Sequence, residues 1–176
     1  MPIDHEGIYF RAVITEVLPN LFLGNDIAAA DQGLLAQHKI RRILTVMQDE
    51  TPRLDGLCRE LDIGHKRFPI HDHEEFADEQ GVVAGTLLPW IQESRLCGSP
   101  ILIHCEAGIS RSPALVLTFL VWKDFDFDEA LKLVSKHEPA APSPIVLESF
   151  LKCIGCQLPD TYPEWWLKRV APEPSA

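Results

Sequence analysis

The chain has 176 residues, 46% of them hydrophobic and 24% charged, which suits one globular domain able to bury a core of its own and excludes two full domains. Its 16 basic and 26 acidic residues give a formal charge of −10, so the long-range field repels nucleic acid and anionic membrane. No apolar run reaches the roughly 20 residues that span a bilayer, and Met1-Pro2-Ile3-Asp4-His5-Glu6 carries acid where a signal peptide carries base.

A cytoplasmic protein is therefore expected, with no nucleic-acid or membrane partner and, by default, a monomeric state. The chain is large enough to fold without disulfides, and its 5 cysteines are an odd number. The thiols Cys58, Cys97, Cys105, Cys153 and Cys156 are read as reduced, and the question is which one reacts.

In chain order, Ala12 to Val17 and Leu21 to Leu23, separated by Pro19-Asn20, read as two short strands of a hairpin. Asn25 or Asp26 then caps one helix running to about His38, with Ile27, Leu34 and Leu35 on its apolar side. The β-like run Arg42 to Met47 follows, then a helix from about Pro52 to Leu61 and a strand from Gly64 to Ile70. After the polar loop His71-Asp72-His73-Glu74-Glu75, a long helix passes through Val82, Val83, Leu87, Trp90 and Ile91 to about Leu96.

Pro100-Ile101-Leu102-Ile103-His104 is an unbroken apolar run of the kind that fills the middle of a sheet covered on both faces. Beyond it, Ser112 to Lys123, Asp128 to Lys136 (capped by Asp126) and Ile145 to about Ile154 read as helices. Strands interleaved with helices early and helices alone late define an α/β class with a central, mostly parallel mixed sheet of about five strands flanked by helices.

The chemistry concentrates in His104-Cys105-Glu106-Ala107-Gly108-Ile109-Ser110-Arg111-Ser112-Pro113, between that buried strand and a helix start. Cys105 and Arg111 are spaced so that the backbone between them can wrap a tetrahedral oxyanion, its amides and the positive end of the helix turned inward. Gly108 permits the curvature, and Pro113 sits early in the helix, where a missing N–H costs nothing. Glu106, Ala107, Gly108, Ile109, Ser110 and Arg111 are thus the phosphate-binding candidates. The helix terminus, the amides and the Arg111 guanidinium favour thiolate at Cys105, and cysteines so placed ionise at about pH 3.5–7.5 and act as nucleophiles. Arg111 offers a planar fork for two phosphate oxygens, and Ser110 and Ser112 place hydroxyls nearby. His104, a strand neighbour of Cys105, points to the opposite face and is assigned an orienting hydrogen bond behind the loop.

The run from Cys105 to Arg111 resembles the signature loop of cysteine-dependent protein phosphatases, and Ala107-Gly108 with Ser110-Arg111-Ser112 resembles the dual-specificity branch. The likeness extends from about Val17 to Ile154. Leu18-Pro19-Asn20-Leu21-Phe22-Leu23-Gly24-Asn25 is similar to the family's opening strand, and Asp128-Glu129-Ala130-Leu131 to the helix after the loop. It implies a catalytic domain over residues 11–157, an extension over 1–10, and a tail over 158–176 that packs on the domain or is partly disordered.

By the same resemblance Cys105 attacks phosphorus, Arg111 holds the equatorial oxygens, Ser112 stabilises the departing sulfur, and an upstream aspartate protonates the leaving oxygen. Asp72 is preferred for that last role, and Asp78, which also suits a helix N-cap, is the alternative. No metal or cofactor is implied, and the partner is a phosphorylated protein. Neither lysine nor histidine stands at Glu106, Ala107 or Ile109, which argues against polyphosphate substrates. The lack of a recognisable cleft-deepening element implies a shallow site open to phosphotyrosine, phosphoserine and phosphothreonine. Where relatives carry Pro-Asn and a glutamine in the last helix, this chain has Val146-Leu147 and Cys153.

Several features have plainer alternatives. His71 and His73 are read as a solvated loop rather than metal ligands, Cys153 and Cys156 as packing rather than redox or zinc chemistry, and Trp165-Trp166 as an aromatic lid over the core rather than a partner patch. Two other functions remain open: a phosphate-binding module without a competent acid, and a sulfurtransferase, against which Ser110-Arg111-Ser112 argues.

Overall fold

The computed structural model of the chain describes residues 11–170; the expected extension 1–10 and tail residues 171–176 lie outside them. Five strands, β1 (Ile14–Leu18), β2 (Leu21–Gly24), β3 (Arg42–Thr45), β4 (Gly64–Arg67) and β5 (Ile101–His104), form one sheet in the order β1-β2-β5-β3-β4. β1 and β2 make an antiparallel hairpin, while β2, β5, β3 and β4 run parallel. All four residues of β5 are buried, as an apolar strand flanked on both edges and both faces must be.

Alternation along β5 divides the core. Ile101 and Ile103 face one cluster with Leu21, Leu23 and Leu44, whereas Leu102 faces a second with Phe22, Ile43, Leu35 and Leu54. The second face is covered by α1 (Asp26–Ala29), α2 (Gln32–Gln37) and α3 (Pro52–Glu60). The first is covered by α4 (Leu88–Leu96), α5 (Arg111–Trp122), α6 (Phe127–Val134) and α7 (Pro144–Lys152).

Three details differ from the sequence reading. The single helix expected from Asn25 to His38 is two helices. Asn25 Oδ1 accepts from Ala28 N at 3.0 Å to start α1, and Asp31 Oδ1 accepts from Leu34 N at 3.0 Å to start α2, so a second capping side chain breaks the run. The long helix ending at Leu96 opens with a π-helical turn, Val83–Leu87, in which Leu88 N bonds to Val83 O. Pro89 has no N–H for the Gly85 carbonyl, and the wider turn absorbs the missing α bond. The strands at Ala12, Arg42 and Gly64 are also shorter or shifted, ending at Leu18, Thr45 and Arg67.

The tail contains a further helix, α8 (Glu164–Val170), that sequence reasoning did not find. Seven residues are too few for periodicity to show, and the helix is held by docking: Trp166 is 2% exposed and joins the main core cluster, while Trp165 stays 39% exposed beside it. The lid reading thus describes Trp166 but not Trp165.

Candidate active site

β5 delivers His104 and Cys105 to the C-terminal edge of the parallel strands, and α5 begins six residues on at Arg111. This is where open α/β sheets bind ligands. The loop between them is fastened from three directions. Asp26 N donates to Glu106 O at 3.0 Å, Ala141 N to Ile109 O at 2.7 Å, and Ser143 N to Ser110 Oγ at 3.0 Å. Gly108 adopts φ +73°, and a Cβ there would stand 2.9 Å from both Gly24 O and His137 Nε2. His137, whose Nδ1 lies 2.9 Å from Thr15 Oγ1, and the Gly24 backbone therefore press on the loop where only glycine fits.

Cys105 lies at the bottom, 2% exposed, and Ser112 Oγ donates to its Sγ at 3.2 Å. Arg111 is 7% exposed, and its guanidinium lies between two carboxylates: Nη2 is 3.4 Å from Glu106 Oε2 and Nε is 3.9 Å from Asp72 Oδ2. Buried Nε finds no hydrogen-bond acceptor among the described residues. A donor of that kind, beside the first-turn amides of α5, suits an oxyanion.

Asp72 reaches the same place from the loop after β4. Its Oδ1 accepts from Ser110 Oγ at 2.7 Å and from His73 N at 3.0 Å, and its side chain keeps 29% exposure. Asp78 does not reach it: its two oxygens accept from Val82 N and Val83 N, each at 2.8 Å, which starts the π turn. Of the two aspartates the sequence offered, Asp72 faces Arg111 and Asp78 caps a helix. His73 is at φ +58°, which turns the chain just after Asp72.

Behind the loop a chain of hydrogen bonds runs to the surface. The Cys105 carbonyl can only accept, so His104 Nδ1–H donates to it at 3.2 Å. Burial pushes His104 down to about 4, and the neutral ring's bare Nε2 then accepts from Thr45 Oγ1 at 2.7 Å. Thr45 Oγ1 in turn accepts from His65 Nε2 at 2.8 Å, and His65 Nδ1 lies 3.0 Å from Asp55 Oδ1. His104 thus bonds the Cys105 carbonyl from behind the loop. Thr45, His65, Asp55 and Ser143 were missed, because they join the site only through the sheet register that sets Thr45 opposite His104 and through the packing of α7.

The other thiols have different surroundings. Burial pushes Cys58 and Cys153 up to about 11, the latter helped by Asp78, and Cys153 Sγ donates to Ser149 O at 3.2 Å. A concavity of about 980 Å³ lies to one side between α1, α2 and α3, lined by Asp26, Asp31, Glu50 and Glu60. Its lining includes His104 but not Cys105, Arg111 or Asp72, so this hollow is not where the thiol, guanidinium and carboxylate meet.

A mainly parallel α/β sheet with a cysteine-to-arginine loop at the β5–α5 junction defines an architecture suited to cradling an oxyanion. The family model described as "Dual specificity phosphatase, catalytic domain" matches residues 21–151, and the chain belongs to that family. Mouse dual specificity protein phosphatase 15 is 32% identical over 133 residues, which cover 74% of this chain and 53% of the relative. Mouse dual specificity protein phosphatase 22 is 32% identical over 122 residues, or 69% and 62%. The chain thus spans less than two thirds of the length of these curated relatives. Among solved structures, DUSP15 superposes with a TM-score of 0.66 at 29% identity over 79% of this chain and 85% of that one. Human DUSP28, at 20% identity, shares the fold with a TM-score of 0.64 over 80% and 91%.

Proposed function

We propose that the chain is a protein phosphatase that hydrolyses phosphotyrosine, and phosphoserine and phosphothreonine as well, through a cysteinyl-phosphate. The observation that carries this reading is the convergence of Cys105, Ser112, Arg111 and Asp72 within one loop-bounded site, joined by contacts of 3.2 Å between Ser112 and Cys105 and 3.9 Å between Arg111 and Asp72. Membership of the dual-specificity phosphatase family supports it.

In the first step the substrate phosphoryl group seats on the loop amides from Glu106 to Arg111, and the Arg111 fork takes two of its oxygens. Cys105 Sγ gives its electron pair to phosphorus as the bond to the leaving oxygen breaks, and a protonated Asp72 carboxyl gives that oxygen its proton. In the second step water attacks phosphorus, Asp72 takes its proton, and the S–P pair returns to Cys105 Sγ, where the Ser112 hydroxyl stabilises it. Orthophosphate leaves. The partial exposure of Asp72 and of the rim residue Ile109 supports a shallow site that admits short as well as long phosphorylated side chains.

Turnover of para-nitrophenyl phosphate and of matched phosphotyrosyl and phosphothreonyl peptides tests this. The reading expects activity that Cys105→Ser abolishes and vanadate blocks. A protein that binds vanadate yet turns over none of these would be a phosphate-binding module instead, and sulfur transfer from thiosulfate would place it among sulfurtransferases.

A further inference from the structure

The geometry points to Ser110 as a positioning residue that aims the Asp72 carboxyl and decides which of its oxygens exchanges the proton; this role rests on the phosphatase reading above. Ser110 is buried at the last loop position before α5. Its Oγ receives the Ser143 N–H at 3.0 Å, and an amide can only donate. With that side of the oxygen occupied, the hydroxyl proton is directed at Asp72 Oδ1, 2.7 Å away.

Oδ1 also accepts from His73 N at 3.0 Å, so two donors already point at it and a proton there would clash with both. Oδ2 has no hydrogen bond to donate or accept among the described contacts. It faces the Arg111 Nε at 3.9 Å and the His73 ring at 3.7 Å. The transferable proton therefore belongs on Oδ2, on the side facing Arg111 and hence the phosphoryl group it holds. Ser143, the residue before α7, completes the arrangement: the backbone of a helix on the far side of the loop sets the hydroxyl direction, which in turn sets the acid.

A merely structural serine and an acid-aiming serine differ in their dependence on the leaving group. Aryl phosphates from dinitrophenyl to phenyl phosphate grade the need for a proton, the first departing unaided and the last requiring it. Ser110→Ala is expected to lower kcat/KM about 10–100-fold more on phenyl phosphate and phosphotyrosyl peptide than on dinitrophenyl phosphate, whose leaving oxygen needs no proton. Ser110→Thr, which keeps the hydroxyl, should restore most of the loss. In an Asp72→Ala background the Ser110→Ala change should cost less than about twofold more, because the residue it serves is gone.

Equal losses of kcat/KM on all leaving groups, or an undiminished loss in the Asp72→Ala background, would overturn the role and leave the phosphatase reading standing. Absence of Cys105-dependent turnover in the parent protein would remove both. Should Ser110→Ala not fold, Ser110→Cys decides: it keeps a side chain of similar size and replaces the hydroxyl by a much weaker donor. It is expected to reduce turnover selectively on phenyl phosphate, and an unchanged leaving-group dependence would count against the role.

Discussion

Replacing Gly108 by alanine separates two costs that usually come together. The first is conformational: φ +73° lies in the left-handed region, where a Cβ costs about 1 kcal/mol relative to glycine. The second is steric. The new methyl would stand 2.9 Å from Gly24 O, 2.9 Å from His137 Nε2 and 3.2 Å from Gly24 C, and the first and last of these are backbone atoms of the strand beside β5 that cannot swing away. Overpacking of that kind adds about 1–3 kcal/mol, for a total of about 2–4 kcal/mol. For a chain of this size that lowers the melting temperature by about 4–16 °C.

Gly98 is the control. It has φ +64° but nothing within 4 Å of the added methyl, so Gly98→Ala should carry only the conformational cost of about 1 kcal/mol, or about 2–4 °C. Thermal unfolding followed by circular dichroism compares the two, and vanadate binding reports the loop. Gly108→Ala should also weaken vanadate at least about tenfold, because the loop must move off Gly24. Melting temperatures for the two variants within about 2 °C of each other, with vanadate affinity intact, would refute the reasoning that the loop is clamped against β2.

Asp72→Asn should reduce turnover of phosphoprotein by about 10²–10⁴-fold, whereas Asp78→Ala should leave turnover within a small factor and destabilise the fold by about 1–2 kcal/mol through the lost cap of the π turn; the reverse pattern would exchange their roles. His104 predicts a pH dependence of stability. Burial takes it from 6.5 to about 4, so between those values the unfolded chain holds a proton that the folded chain refuses. Stability is unaffected by this group above pH 6.5 and falls on acidification through the window, by about 3 kcal/mol in all. Urea unfolding at pH 7, 5.5 and 4 should show a smaller acid loss in His104→Asn than in the parent, and equal losses would count against the buried neutral ring. Trp166→Ala should cost about 3–5 kcal/mol and Trp165→Ala less than about 0.5 kcal/mol in the same unfolding assay, if α8 is docked by the one ring alone.

Much of this fold is visible in local pattern. The apolar run Ile101 to His104 announces a central strand because it lacks a polar face, and Asp126 announces α6, where its Oδ1 accepts from Glu129 N at 2.8 Å. The loop residues from Cys105 to Ser112 are legible because an oxyanion cradle requires them contiguous in sequence. Asp72 was legible only as one of two aspartates. What separates it from Asp78 is which backbone amides each can reach, a matter of tertiary position.

The supporting residues are harder still. Thr45, His65 and Asp55 meet His104 across parallel strands and a crossover helix, and nothing local in their sequence marks them. Asp31 shows the limit of periodicity: Ile27, Leu34 and Leu35 suggest one helical face, yet a single capping carboxylate divides it. α8 escaped for the opposite reason, since a short helix held by one buried tryptophan has no pattern of its own.

The account stands most directly on the chemical identity of the intermediate. Rapid acid quench of the protein during turnover of an aryl phosphate, followed by peptide mass spectrometry, should place a phosphoryl group on Cys105, increase its yield in a variant slowed at the hydrolysis step, and show none in Cys105→Ser. Steady turnover with phosphate on any other side chain, or with Cys105→Ser as active as the parent, would contradict it.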